Sequence, residues 1–268
     1  MKQRYKVTLA YDGTNYVGFQ RQINGNSIQA EIEKALKKMT KGLSIAIVAS
    51  GRTDSGVHAK GQVIHFDYPC QLEEHSLKQA LNSLLPSDIR ICLVEKVSQL
   101  FHARYHTCQK MYHYRVSLGD VQSPFLSRYA LHHRYSVDIS KMNEALGDII
   151  GEHDFTSFCS TKSDKDNKVR CIKHASVEYD EEHNELVFVF IGDGFLYNMV
   201  RILVGTTLQI GDGLKPVHEL RRLLEAKDRR QAGPTALAHG LYLMRVDYKA
   251  PEYWFQTYEE NKRIGYND

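Results

Sequence analysis

The chain has 268 residues, 42% of them apolar, enough to bury a sizeable core in one large domain or two small ones. A net charge of only +3 permits a nucleic-acid partner without demanding one, although 35 Lys and Arg and 13 His supply many phosphate contacts if they gather on one face. Five scattered cysteines without CxxC spacing argue against a disulfide framework and a zinc site and fit a reducing cytoplasm, and the chain shows neither an export signal nor a charge-free run of transmembrane length.

In chain order, Val7, Leu9 and Tyr11 alternate with Lys6, Thr8 and Ala10 as a strand closed by the turn Asp12-Gly13. Asn26 or Ser27 caps a helix whose Ile28, Ile32, Ala35, Leu36 and Met39 fall on one face. Apolar Ile45 to Ala49 and Gln62 to Phe66 read as two strands. Between them runs the polar, glycine-bracketed stretch Gly51-Arg52-Thr53-Asp54-Ser55-Gly56-Val57-His58. Ser76-x-x-Gln79 reads as a capping box for a helix through Leu77, Leu81, Leu84 and Leu85 that stops at Pro86. Ile89 to Val97 is the next strand, which makes the first half β-α-β-β-α-β.

The second half repeats that order. Met111 to Ser117 is a strand, and Ile139, Met142, Leu146 and Ile149 mark a helix ending at Gly151. A loop rich in Ser, Lys and Asp spans Ser160 to Lys168. Ile172 to Tyr179 and Leu186 to Ile191 form a hairpin, Leu196 to Leu208 a buried helix, Val217 to Glu225 a surface helix and Leu241 to Tyr248 the last strand. The expected fold is α+β, with two ferredoxin-like or RRM-like halves, 1–108 and 109–250, whose antiparallel sheets flank a central catalytic cleft, followed by a tail, 251–268.

Chemistry points to the Asp54 stretch. Two glycines let backbone approach a ligand closely, and Arg52 and Asp54 supply a donor fork and a carboxylate; the plain alternative is a turn in which Asp54 bonds its own backbone. Arg201 is the only charge between Asp193 and Asp212, in a run with no polar helix face. Such a guanidinium needs a partner, and Asp54 competes for that place with a bridge to Asp193 or Asp212 or with a side chain that reaches out to solvent. Tyr112 and Tyr114 share one face of their strand, which is ordinary core or, on an RRM-like sheet, a surface for stacking bases, with Lys110 at the strand's start. His102, His106 and Cys108 lack the companions that would complete a metal site and read instead as surface or RNA-facing residues.

The motif Gly51 to His58 resembles the catalytic motif of the tRNA pseudouridine synthases that modify positions 38 to 40 of the anticodon arm, the TruA family. Tyr11-Asp12-Gly13, Gly18-Phe19-Gln20, Gly61-Gln62-Val63, Phe101-His102-Ala103-Arg104, Lys110 to Tyr114, Asp154 to Phe158, Met199-Val200-Arg201 and Gly240 to Leu243 extend the resemblance over nearly the whole chain. Ser55, where Ala is usual, and Phe19, where Trp is frequent, depart from the pattern. The resemblance implies that Asp54 is the catalytic aspartate, that Arg201 pairs with it, that Tyr112 packs against the target base and that Arg52 holds the nucleotide out of its stack. Substrate contacts fall on Tyr112, Arg52, Arg21, Lys60, Lys110 and Leu241. It also implies a cytoplasmic homodimer acting on the tRNA anticodon stem-loop, with no metal, no organic cofactor and no membrane.

Two rival chemistries fail on spacing. Asp54-Ser55-Gly56 is the Asp-Ser-Gly of aspartic proteases, but the second such triplet that a proton-sharing pair requires does not occur. Zinc-dependent base deamination lacks His-x-Glu and Pro-Cys-x-x-Cys. The remaining alternative is a non-catalytic tRNA-binding protein of the same architecture.

Overall fold

The computed structural model describes residues 2–163 and 166–255, so the expected tail from 256 onward and the centre of the Ser160–Lys168 loop lie outside the described residues. The chain is mixed α+β and divides into two compact units, one running to Cys108 and resuming at Leu243, the other from Gln109 to Tyr242.

In the first unit, β1 (Gln3–Tyr11) buries Tyr5, Val7, Leu9 and Tyr11 on one face, as its alternation predicts. It pairs antiparallel with β3 (His58–Tyr68) on one side and β4 (Ile89–Val97) on the other. Directly opposed on β1 and β3, Arg4 and Asp67 form a forked ion pair at 2.7 and 2.9 Å, which holds the Asp67 carboxyl below its usual range. Helix α1 (Ile28–Met39) starts where the Ser27 hydroxyl accepts from the Ala30 amide, and buries Ile28, Ile32, Ala35 and Leu36.

Two local expectations change. The strand expected over Ile45 to Ala49 shrinks to β2 (Val48–Ala49), paired with His65 and Ile64. Ile45 and Ile47 are buried all the same, with the Ile47 amide donating to the Glu33 carboxylate, so apolar character here reports burial without a strand ladder. Helix α2 (Glu74–Leu84) begins before the expected capping box and leaves Ser76 inside it. Acidic Glu74 in the first turn suits the positive end of the helix dipole, and its carboxylate accepts from the Lys96 amide. The last strand, β10 (Leu241–Tyr248), has the expected bounds, neighbours β3, and falls mostly in the first unit. Pairing, not chain order, sets strand membership, and Gly61 of β3 lies directly on the Met244 backbone.

The second unit carries the strand order β5 (Thr107–Leu118), β9 (Glu185–Gly192), β8 (Val169–Asp180), β7 (Gly151–Asp154), all antiparallel, with short β6 (Leu131–His133) parallel to β5. Tyr112 opposes Phe190 and Tyr114 opposes Phe188, which places aromatic residues in register across β5 and β9. Helix α3 (Ile139–Gly147), capped by the Asp138 carboxylate, ends before the expected Gly151, which opens β7 instead. Helix α4 (Met199–Gly211) is buried nearly all round, as its lack of a polar face predicts, and α5 (Glu219–Ala226) packs beside α3 and α4.

Buried histidines give the first unit an acid-sensitive core. His65, His102 and His106 are at most 4% exposed, so His102 and His106 belong to the core and are not the surface or RNA-facing residues expected from sequence. Each accepts backbone N–H on Nδ1, from Ala103, from Arg104 and Tyr105, and from His102 respectively, a role that only an unprotonated Nδ1 can fill. Burial, then the charges of Arg4 and His102, pushes His65 down to about 3 against the opposing pull of Asp67; burial likewise pushes His106 to about 4, with His102 and Lys249 adding to the shift. A histidine whose folded pKa is depressed contributes stability that is full above the unfolded value near 6.5 and is lost as pH falls toward the folded one. From pH 7 to pH 5, above the range of ordinary carboxylates, His65 alone therefore removes about 2 kcal/mol. Urea unfolding at the two pH values measures this, and His65→Gln flattens the slope; equal slopes for both proteins would rule it out.

Candidate active site

The residues that sequence singles out lie on short pieces of each unit. In the first, the loop from Gly51 to Val57 enters β3 at His58 without a strand ladder of its own. Asp54 is half-buried on this loop, Arg52 and Ser55 are exposed, and Thr53 is buried.

The loop is tied to the segment that follows β1. The Phe19 amide donates to the Thr53 carbonyl at 3.0 Å, and the Ser55 hydroxyl and Gly56 amide both donate to the Tyr16 carbonyl. The Tyr11 and Thr53 hydroxyls share a 2.8 Å bond. At the far end, His58 Nδ1 lies 3.1 Å from the Gly13 amide and 3.2 Å from Asp12 Oδ1. Two glycines make this approach possible. A Cβ on Gly13 would stand 2.0 Å from the Val57 carbonyl oxygen, and Gly18, at φ +117°, would place one 2.8 Å from that of Thr53. Any side chain there would push the Asp54 loop away. The sequence motifs Tyr11-Asp12-Gly13 and Gly18-Phe19-Gln20 are thus the scaffold of the third.

Three other basic residues of the first unit differ in setting. Partial desolvation, followed by the like charge of Arg104, lowers the Arg52 pKa, which marks Arg104, named from sequence only within the motif Phe101 to Arg104 and given no site role there, as a second cation near the loop. Arg21 is exposed, its amide donating to the Gln29 side chain and its guanidinium pairing with Glu33. Lys60 is exposed on β3.

In the second unit, Tyr112 of β5 is 9% exposed and meets Phe195 edge-on at 5.0 Å. Lys110 lies two positions earlier on β5, half-buried, and Leu241 is buried at the start of β10. Arg201, in the first turn of α4, is half-buried. Its Nε donates to the Ala236 carbonyl at 2.7 Å and its Nη1 to Asn198 Oδ1 at 2.9 Å, while its own carbonyl accepts the Ala236 amide. Asn198 caps α4 in the left-handed conformation at φ +63°, which Asn tolerates better than most residues. Of the rival acids weighed for Arg201, Asp212 pairs with His133 and Asp193 accepts the Cys171 amide. Ala236 is not legible in the sequence because its bonds to Arg201 depend on the folded path of the 229–238 segment, whereas Asn198 reaches Arg201 from only three residues away at the start of the same helix.

Among the described residues no cluster of three or more His, Cys, Asp or Glu could hold a metal, and no helix is long and apolar enough to cross a membrane.

The comparisons agree with these motifs. The family model described as tRNA pseudouridine synthase matches residues 8–106 and 145–249. The chain is 53% identical to a tRNA pseudouridine synthase A of Latilactobacillus sakei, across 93% of this chain and 100% of that one. It is 51% identical to the protein of that name from Lactobacillus helveticus, across 92% and 95%. For that of Anoxybacillus flavithermus the identity is 49%, across 92% and 99%. With the Asp54 loop and its scaffold inside the first matched segment and Arg201 inside the second, the chain belongs to the tRNA pseudouridine synthase family.

Proposed function

We propose that the chain isomerises uridine to pseudouridine in tRNA, at positions 38, 39 and 40 of the anticodon stem-loop, with Asp54 as the catalytic carboxylate. The observation that carries this reading is the Asp54 loop: a family motif laced to backbone on both sides, with a half-buried carboxylate and an exposed guanidinium two residues apart. The reaction breaks the N1–C1′ bond, turns the uracil and joins C5 to C1′; C5 gives up a proton and N1 gains one, so atoms and electrons balance without a co-reactant. One carboxylate suffices. It attacks the sugar or the ring, or takes a proton from C2′, and every route needs it ionised.

The target nucleotide must leave the stem before a carboxylate reaches its sugar. Arg52 fits the task of holding it out, Tyr112 offers a ring for the base, and Arg21, Lys60 and Lys110 supply charge for the backbone, with Leu241 an apolar contact. Arg201 is assigned as the guanidinium that keeps Asp54 ionised. The two halves are read as ferredoxin-like or RRM-like domains, a reading supported in the first unit by the order β1-α1-β2-β3-α2-β4. A homodimer in the cytoplasm completes the proposal.

The test is direct. Incubated with unmodified tRNA carrying uridine at positions 38 to 40, the protein converts those uridines and no others, as mapped by chemical detection of pseudouridine. Binding without conversion would favour a non-catalytic tRNA-binding protein instead.

A further inference from the structure

The loop between Ser50 and His58 has no ladder of its own, yet a catalytic carboxylate on it has to be held to a fraction of an ångström. Two buried side chains of the flanking strands supply the restraint. Tyr11, at the end of β1 and 4% exposed, places its hydroxyl 2.8 Å from that of Thr53, the residue before Asp54. Gln62 of β3, wholly buried, spans the start of the loop: its Oε1 accepts from the Ser50 hydroxyl at 2.7 Å and the Val63 amide at 3.0 Å, while its Nε2 donates to the Gly51 carbonyl at 3.1 Å. Burial drives the Tyr11 phenol up to about 12, only partly offset by hydrogen bonds with Thr53 and Gln62, so it stays a neutral hydroxyl at every working pH. Tyr11 and Gln62 thereby join into one network beneath residues 50 to 53.

We propose that Tyr11 is a positioning residue for catalysis, acting through the Thr53 hydroxyl to fix where the Asp54 carboxylate points, with Gln62 holding the entry of the same loop. The proposal rests on the reading of Asp54 as the catalytic carboxylate. A core tyrosine with a merely structural role would give up stability with its hydroxyl bond and leave kcat of the folded enzyme unchanged; a positioning tyrosine changes kcat, because misplacing a reacting group by about 1 Å costs roughly 100-fold in rate.

Tyr11→Phe removes the hydroxyl and keeps the ring against Phe19, 6.1 Å away. Expected is a fall in kcat of roughly 10- to 100-fold with KM for tRNA unchanged, measured below the variant's Tm. Thr53→Val should give the same loss, Thr53→Ser should restore it, and the Tyr11→Phe/Thr53→Val double variant should be no slower than either single one, because both remove the same bond. Should Tyr11→Phe fail to fold, the Thr53→Val and Thr53→Ser pair decides alone. Wild-type kcat in Tyr11→Phe or Thr53→Val overturns the proposal, even if Tm falls, as does a rise in KM at constant kcat. An inactive Asp54→Asn enzyme beside a fully active Tyr11→Phe enzyme would sink the positioning role alone, whereas an active Asp54→Asn enzyme would remove the catalytic reading beneath it.

Discussion

Replacing Asp54 by Asn leaves a protein that folds, binds tRNA and forms no pseudouridine. The substitution keeps the shape of the side chain, and the bonds that anchor the loop run through neighbours: Thr53 to Tyr11 and Phe19, Ser55 and Gly56 to Tyr16, and the Asp54 carbonyl to the Val57 amide. None needs the Asp54 carboxylate. Stacking and phosphate contacts survive for the same reason, so Kd for tRNA should change little. An amide can serve neither as the nucleophile nor as the base of any route open to the reaction, and turnover should fall by at least ~10³-fold. Quantifying pseudouridine after incubation of tRNA with Asp54→Asn, beside a binding assay and a melting curve, separates these expectations. Conversion at the wild-type rate would end the assignment of Asp54, while lost binding would show that the carboxylate shapes the loop and does not merely react.

Where local chemistry decides the outcome, the sequence is readable to within a residue. Ser27, one of two candidates, caps α1, Ile89 and Val97 bound β4, and Leu241 and Tyr248 bound β10, because a cap and an apolar run each act over a few residues. Failures occur where distant partners decide. Ile45 and Ile47 are apolar because they are buried, and only Val48 and Ala49 find a ladder. Polar Gly151 to Asp154 carries no strand signal, yet pairs with β8 as β7. The candidate site divides the same way. Asp54 and Arg52 stand out in one glycine-bracketed motif, and Tyr11 and Gln62 belong to motifs already visible in the sequence. That these two converge on Ser50, Gly51 and Thr53 follows only from β1 and β3 lying side by side with the loop between β2 and β3 folded across their ends.

Arg201→Met should lose both activity and stability, and the two losses have separable causes. The stability loss is local to the second unit. Nε and Nη1 donate to the Ala236 carbonyl and to Asn198 Oδ1, and a methionine leaves both acceptors short of a donor in a half-buried setting. That costs about 1–3 kcal/mol, read as a fall in Tm. The activity loss follows from the proposed pairing: without the guanidinium charge Asp54 is harder to ionise, so residual turnover should collapse at low pH and recover as pH rises. A carboxylate whose pKa rises moves the acid limb of the kcat profile upward, the sign that distinguishes loss of a charge partner from loss of structure. Arg201→Lys sharpens the comparison. It restores the charge but not the two-pronged geometry, so the acid limb should return toward that of the wild type while Tm remains depressed. A methionine variant that keeps wild-type kcat and acid limb below its Tm would confine Arg201 to bracing Ala236 and Asn198, and the partner of Asp54 would have to be sought elsewhere.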